Sequence, residues 1–85
     1  MKVKVLFFAA LREQLGTPGE EIELPAGVGT VAALRSHLRQ RGGAWELALA
    51  DGKLVRAAVN QDMVPPSAPV KSGDEVAFFP PVTGG

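Results

Sequence analysis

The chain has 85 residues, with nine basic and nine acidic side chains and no cysteine. A domain of this length buries roughly 60–65% of its unfolded-chain surface, which allows one core but no large internal active-site cavity, so a carrier, binding module or subunit fits better than a complete enzyme. Balanced charge argues against a nucleic-acid binder, which shows a basic stripe with stacking aromatics, and the lack of cysteine excludes a disulfide scaffold, a thiolate metal site and a persulfide on the chain itself.

Residues 3–8 are β-branched and aromatic and predict a first strand. Residues 9–15 form a short helical turn, broken by Gly16-Thr17-Pro18-Gly19. Residues 20–24 alternate, with Ile22 and Leu24 on one side, and predict a second strand antiparallel to the first. Thr30 is an N-cap for a helix running to about Arg41. Val31, Leu34 and Leu38 fall on one face of it, and Gly42-Gly43 stops it. Residues 45–49 are a short apolar patch with a helical or 3₁₀ turn. Residues 54–60 predict a third strand, residues 62–64 a brief fourth before Pro65-Pro66, and residues 75–79 the last, after the turn Ser72-Gly73-Asp74. No repeat or low-complexity linker interrupts this order.

The order ββαβββ predicts an α+β architecture, a mixed sheet crossed by one main helix. It resembles the β-grasp, or ubiquitin-like, fold, which implies that the first and last strands lie side by side in mid-sheet. The expected organisation is a β-grasp domain over residues 1–79 and an extended Gly-Gly tail over residues 80–85. No secretory h-region and no apolar run of transmembrane length is visible, so a soluble cytoplasmic protein is expected, bound to neither membrane nor nucleic acid. Arg35, Arg39 and Arg41 read as a solvated helix flank, and the single His37 as a helix-surface or boundary histidine with no metal site.

The first functional feature is the tail, Phe79-Pro80-Pro81-Val82-Thr83-Gly84-Gly85. Pro80 and Pro81 oppose continuation of the strand and favour polyproline II. Six extended residues reach roughly 20 Å, and two glycines without side chains suit a narrow channel in another protein. A terminal carboxylate, with a reference pKa of about 3.3–3.7, is a poor acyl donor. Adenylation by ATP supplies a leaving group, and a sulfur nucleophile that displaces AMP leaves a thiocarboxylate. The chain has no phosphate-binding motif, so a partner must supply ATP and catalysis. Taken alone, a Gly-Gly terminus also fits a merely frayed end.

The second feature is an apolar surplus on the sheet. Val3, Val5 and Phe7 share one face of the first strand, and Leu6 and Phe8 the other. In the last strand Val76 and Phe78 share one face, and Ala77 and Phe79 the other. One helix covers one face, so the other should be mainly polar. The excess is either a partner surface or is covered by the loops at residues 45–49 and 65–70.

Three stretches carry a resemblance to a family. They are Val5-Leu6-Phe7-Phe8-Ala9 with Leu11-Arg12-Glu13, Asp51-Gly52-Lys53-Leu54 with Ala58-Val59-Asn60-Gln61, and residues 73–85 with their closing Phe-Phe-Pro-Pro-Val-Thr-Gly-Gly. They resemble the small subunits of molybdopterin synthase, ubiquitin-like sulfur carriers, over nearly the whole chain. The resemblance implies that a ubiquitin-activating-like adenylyltransferase adenylates Gly85, using ATP that this chain does not itself bind. A sulfurtransferase system then makes the thiocarboxylate. It implies a heterotetramer with the large subunit, into which Pro80, Pro81, Val82, Thr83, Gly84 and Gly85 insert to deliver sulfur to cyclic pyranopterin monophosphate. It also implies a contact patch of Phe8, Met63 and Phe79, with Arg12 at its rim. Phe8 and Phe79 lie on the non-helix face by alternation as well, whereas Met63 rests on the resemblance alone. The alternatives are a carrier for thiazole synthesis or tRNA thiolation, a ubiquitin-like protein modifier, and a plain interaction domain.

Overall fold

Val3, Val5 and Phe7 alternate with exposed or half-exposed neighbours, and this period of two makes Lys2–Phe7 strand β1. The computed structural model describes residues 1–81. After β1 come α1 (Ala9–Leu15), β2 (Gly19–Glu23), α2 (Val31–Arg39), α3 (Ala44–Ala48), β3 (Arg56–Val59), β4 (Asp62–Val64) and β5 (Glu75–Phe79). The sheet order is β2-β1-β5-β3-β4. β1 and β5 pair in parallel, and every other neighbouring pair is antiparallel. The two ends of the domain thus meet in mid-sheet, the β-grasp arrangement expected from the element order.

The helices lie on one side. Thr30 caps α2 by accepting the Ala33 N–H at 3.1 Å. Its Val31, Leu34 and Leu38 enter the core with Leu11 of α1, Ala48 and Leu49 at α3, and Val3, Val5, Phe7, Ile22, Val76 and Phe78 of the sheet. Trp45 packs edge-on to Phe7 with ring centroids 5.4 Å apart, and Phe7 stacks on Phe78 at 6.3 Å.

The helical turns expected at residues 9–15 and 45–49 are present as short helices, and α2 is the longest of the three. Two boundaries depart from the sequence reading. α2 ends at Arg39, because the next N–H groups bond three residues back: Arg41 to Leu38 at 3.1 Å and Gly42 to Arg39 at 3.0 Å. The third strand begins at Arg56 rather than residue 54. Arg56 faces Phe79, the last residue of β5, and the following Pro80 has no N–H with which to extend the ladder. At its other end Asn60 and Gln61, both at positive φ, form a two-residue hairpin loop into β4. Gly19 admits close packing at the other edge, since a Cβ there would lie 2.4 Å from the Val5 carbonyl oxygen.

Candidate functional site: the uncovered sheet face and the root of the tail

Strand register arranges the uncovered face in rows. Leu6 pairs with Ala77, Ala77 with Ala58, and Ala58 with Met63, so four apolar residues from four strands form one line. The next row toward the tail holds Phe79 opposite Arg56. Phe8 joins it, held by its N–H on the Phe78 carbonyl at 3.1 Å. At the far end of the face the pairs are Lys2 with Glu23, Lys4 with Glu21, and Lys4 with Glu75. The face is therefore apolar where the chain leaves β5 and charge-compensated at its other end.

Among the described residues, no loop covers the apolar half. Residues 45–49 pack on the helix side, where Trp45 meets Phe7. Residues 65–70 run along the start of α2, where Ala68 and Pro66 carbonyls accept the Val31 and Ala32 N–H groups at 3.0 and 2.8 Å. Phe8 is 47% exposed and Met63 59%, and Phe79 is half-buried. The sequence assignment of Phe8 and Phe79 to the non-helix face agrees with this geometry, and Met63 joins them through the β3–β4 register. Arg12 is exposed one helical turn after Phe8, on α1. Pro80 and Pro81 are half-buried where the tail begins. Val82, Thr83, Gly84 and Gly85 lie outside the described residues.

The expectation of a solvated arginine flank is corrected. Arg35 donates to the backbone carbonyls of Leu49 (2.8 Å), Ala50 and Lys53 (3.0 Å), tying α2 to the loop before β3. Burial pushes its pKa below the usual arginine value, Asp51 opposes that shift, and Arg39 adds slightly to it. Arg39 pairs with Asp51 at 2.9 Å, and Arg41 pairs with Glu20 while lying 4.5 Å over the Trp45 ring. Each of the hydrogen bonds and ion pairs spans more than ten residues of sequence, so helical periodicity could not reveal them.

Sequence reasoning also missed a surface groove of about 550 Å³ at the tail end of the sheet. Leu54, Arg56, Met63, Pro65 and Pro81 border it, with α2 as its opposite wall. Leu54 is 79% exposed. The only sequence signal was an apolar residue just ahead of the third strand's true start. Among the described residues, no group of three or more His, Asp or Glu side chains could hold a metal ion, and no helix is long and apolar enough to cross a membrane.

A parallel β1–β5 pair in mid-sheet, helices on one face and an apolar open face at the exit of a Pro-Pro tail define a ubiquitin-like β-grasp protein built to dock. Residues 5–85 match the ThiS family, and the chain belongs to it. It is 55% identical over 83 residues to the molybdopterin synthase sulfur carrier subunit of Escherichia coli K12, covering 98% of this chain and 99% of that protein. It is 51% identical, with the same coverage, to the subunit of that name from Haemophilus influenzae. Among solved structures it is similar to SAMP1 from Haloferax volcanii, with 27% identity, a TM-score of 0.77 and full coverage of both chains. It is also similar to a chain of the complex of subunits 1 and 2 of the molybdopterin-converting factor from Helicobacter pylori, with 26% identity, a TM-score of 0.68 and full coverage of both chains.

Proposed function

We propose that this chain is the cytoplasmic sulfur carrier of molybdopterin synthase. The observation that carries this reading is the position of the uncovered apolar rows at the root of the tail. A partner that covers Phe8, Met63 and Phe79 holds the domain by its face while a tail reaching roughly 20 Å enters that partner. Near-full-length identity to sulfur carrier subunits supports the same reading.

The chemistry proceeds in two balanced steps. The Gly85 carboxylate attacks the α-phosphate of ATP, expelling pyrophosphate and forming an acyl-adenylate. A hydrosulfide-equivalent nucleophile from the sulfurtransferase system then attacks the acyl carbon. AMP leaves, a proton is released, and a thiocarboxylate remains. The activating enzyme brings ATP, and this chain contributes the acyl group and the docking surface. The large subunit, two copies of which form the centre of a heterotetramer, holds the cyclic pyranopterin monophosphate. Two carriers in turn each deliver one sulfur to the dithiolene of molybdopterin.

The test is a reconstitution of purified thiocarboxylated carrier, large subunit and cyclic pyranopterin monophosphate. Molybdopterin should form in proportion to carrier, and carrier alone should give none. No product with the large subunit, together with support of thiazole synthesis or tRNA thiolation, would keep the tail chemistry and overturn the pathway. A second reading, protein modification through an isopeptide bond to lysine, is favoured by the similarity to SAMP1. It would show as a lysine-linked Gly-Gly remnant on target proteins after activation.

A further inference from the structure

We propose that Arg56 is a second anchor of the docking surface, pairing with an acidic side chain of the large subunit at the edge of the socket that takes Phe8, Met63 and Phe79; this rests on the sulfur-carrier reading above. Three observations converge on Arg56. It stands directly opposite Phe79 in the β3–β5 register, so it shares the open face with the last ring before the tail. It is exposed and makes no ion pair or side-chain hydrogen bond among the described residues, whereas Arg35, Arg39 and Arg41 are all engaged. It also borders the groove with Leu54, Met63 and Pro81, so apolar side chains flank it at the end of the sheet as well as on the open face.

The charge layout of the face selects an acidic partner group. Lys2 and Lys4 at the far end stand opposite Glu23, Glu21 and Glu75 in the strand register, so each lysine has a cross-strand carboxylate neighbour. At the tail end the two arginines near the apolar rows, Arg12 and Arg56, have no such counterpart among the described residues. A partner with an apolar socket edged by carboxylates complements this end and no other part of the face. Apolar contacts are non-directional, and a charge pair at their edge fixes orientation and speeds encounter. Arg56 suits that task because β3 lies between β5 and β4 and is held on both sides. The pair would thus fix the angle at which the tail leaves β5 for the large subunit.

The experiment measures affinity and association rate of the cognate large subunit for the wild-type carrier, Arg56→Gln, Arg56→Glu and Lys4→Glu, with the melting temperature of each. Arg56→Glu should bind at least about tenfold more weakly at low salt, mainly through slower association, with Arg56→Gln in between. The gap should shrink as the Debye length falls from about 10 Å at 0.1 M salt to about 3 Å at 1 M. Lys4→Glu should bind like wild type. Arg56→Glu binding within about twofold of wild type, or an equal loss in Lys4→Glu, would overturn the anchor while leaving the carrier reading intact. If wild type fails to bind the large subunit, both fall. Arg56→Gln serves as the neutral variant should charge reversal lower the melting temperature.

Discussion

Phe8 donates its backbone N–H to the carbonyl oxygen of Phe78 at 3.1 Å, one residue past the end of β1. That bond carries the parallel ladder up to the first turn of α1 and leaves the Phe8 ring on the side opposite the core. Phe78 and Phe79 divide in the same way: Phe78 is 1% exposed inside the core, and Phe79 lies on the open face.

Neighbouring phenylalanines therefore have separable effects. Phe79→Ala should weaken large-subunit binding by about 2 kcal/mol, roughly thirtyfold, with little change in melting temperature. Phe78→Ala should instead cost about 3–5 kcal/mol of folding stability. Calorimetry of the isolated carrier and titration against the large subunit check the pair. A large melting-temperature loss in Phe79→Ala with unchanged affinity would invert the face assignment.

Arg35→Ala should destabilise the fold by about 2 kcal/mol, because it removes one charged donor from three backbone carbonyls. For a domain of this size that is a drop in melting temperature on the order of 10 °C. Arg56→Gln, on an exposed strand position, should move it by less than about 3 °C. Thermal unfolding of the two variants side by side gives the comparison, and equal melting temperatures would remove the structural role of Arg35.

This contrast marks what was legible in the sequence. Alternation in residues 3–8 and 75–79 separated Phe7 and Phe78 from Phe8 and Phe79, because a strand's period of two is local. The Thr30 cap and the Val31–Leu34–Leu38 stripe placed α2 for the same reason. Arg35 and Arg56 were not legible. Arg35 acts through carbonyls 14 to 18 residues away, and Arg56 gains its meaning from a partner strand 23 residues later. The packing of α2 against the loop before β3 settles the first and strand register the second, and neither leaves a periodic trace.

Acid stability should depend on Asp74. Its carboxylate accepts the Lys71 N–H at 2.8 Å and the Asn60 side-chain amide at 3.0 Å, pinning the β3–β4 hairpin loop to the turn before β5. The Lys71 backbone bond first, and then Asn60, holds its pKa below the ordinary value of 3.8. Its stabilisation is thus complete above that value and is lost as pH falls through the lower folded-state pKa. Urea midpoints measured from pH 6 downward should fall less steeply below about pH 4 in Asp74→Asn than in wild type. Identical acid limbs would show that the Asp74 bonds do not contribute.

The last expectation concerns Gly85. In the sulfur-carrier reading this residue supplies the reacting carboxyl, and the domain supplies only the docking face. Deleting Gly85 should therefore leave folding and docking unchanged and abolish thiocarboxylate formation. None of the core residues, from Val3 to Phe78, lies near the deletion in sequence, so the melting temperature should stay within about 3 °C of wild type. The apolar rows and Arg56 remain, so affinity for the large subunit should change by less than about fivefold, or about 1 kcal/mol. Shortening the chain places the Gly84 carboxyl about 3.3 Å short of where Gly85 would react. A near-attack geometry tolerates little such error, and a displacement on the order of 1 Å already costs about a hundredfold. Intact-mass analysis after incubation with the activating enzyme, ATP and a sulfide source checks this directly. Wild type should gain the mass of one oxygen-to-sulfur exchange, and the truncated chain should gain none. Normal thiocarboxylation of the truncated chain would mean that the activating enzyme does not measure tail length from the docked domain, and Gly85 would lose its assigned place in the chemistry.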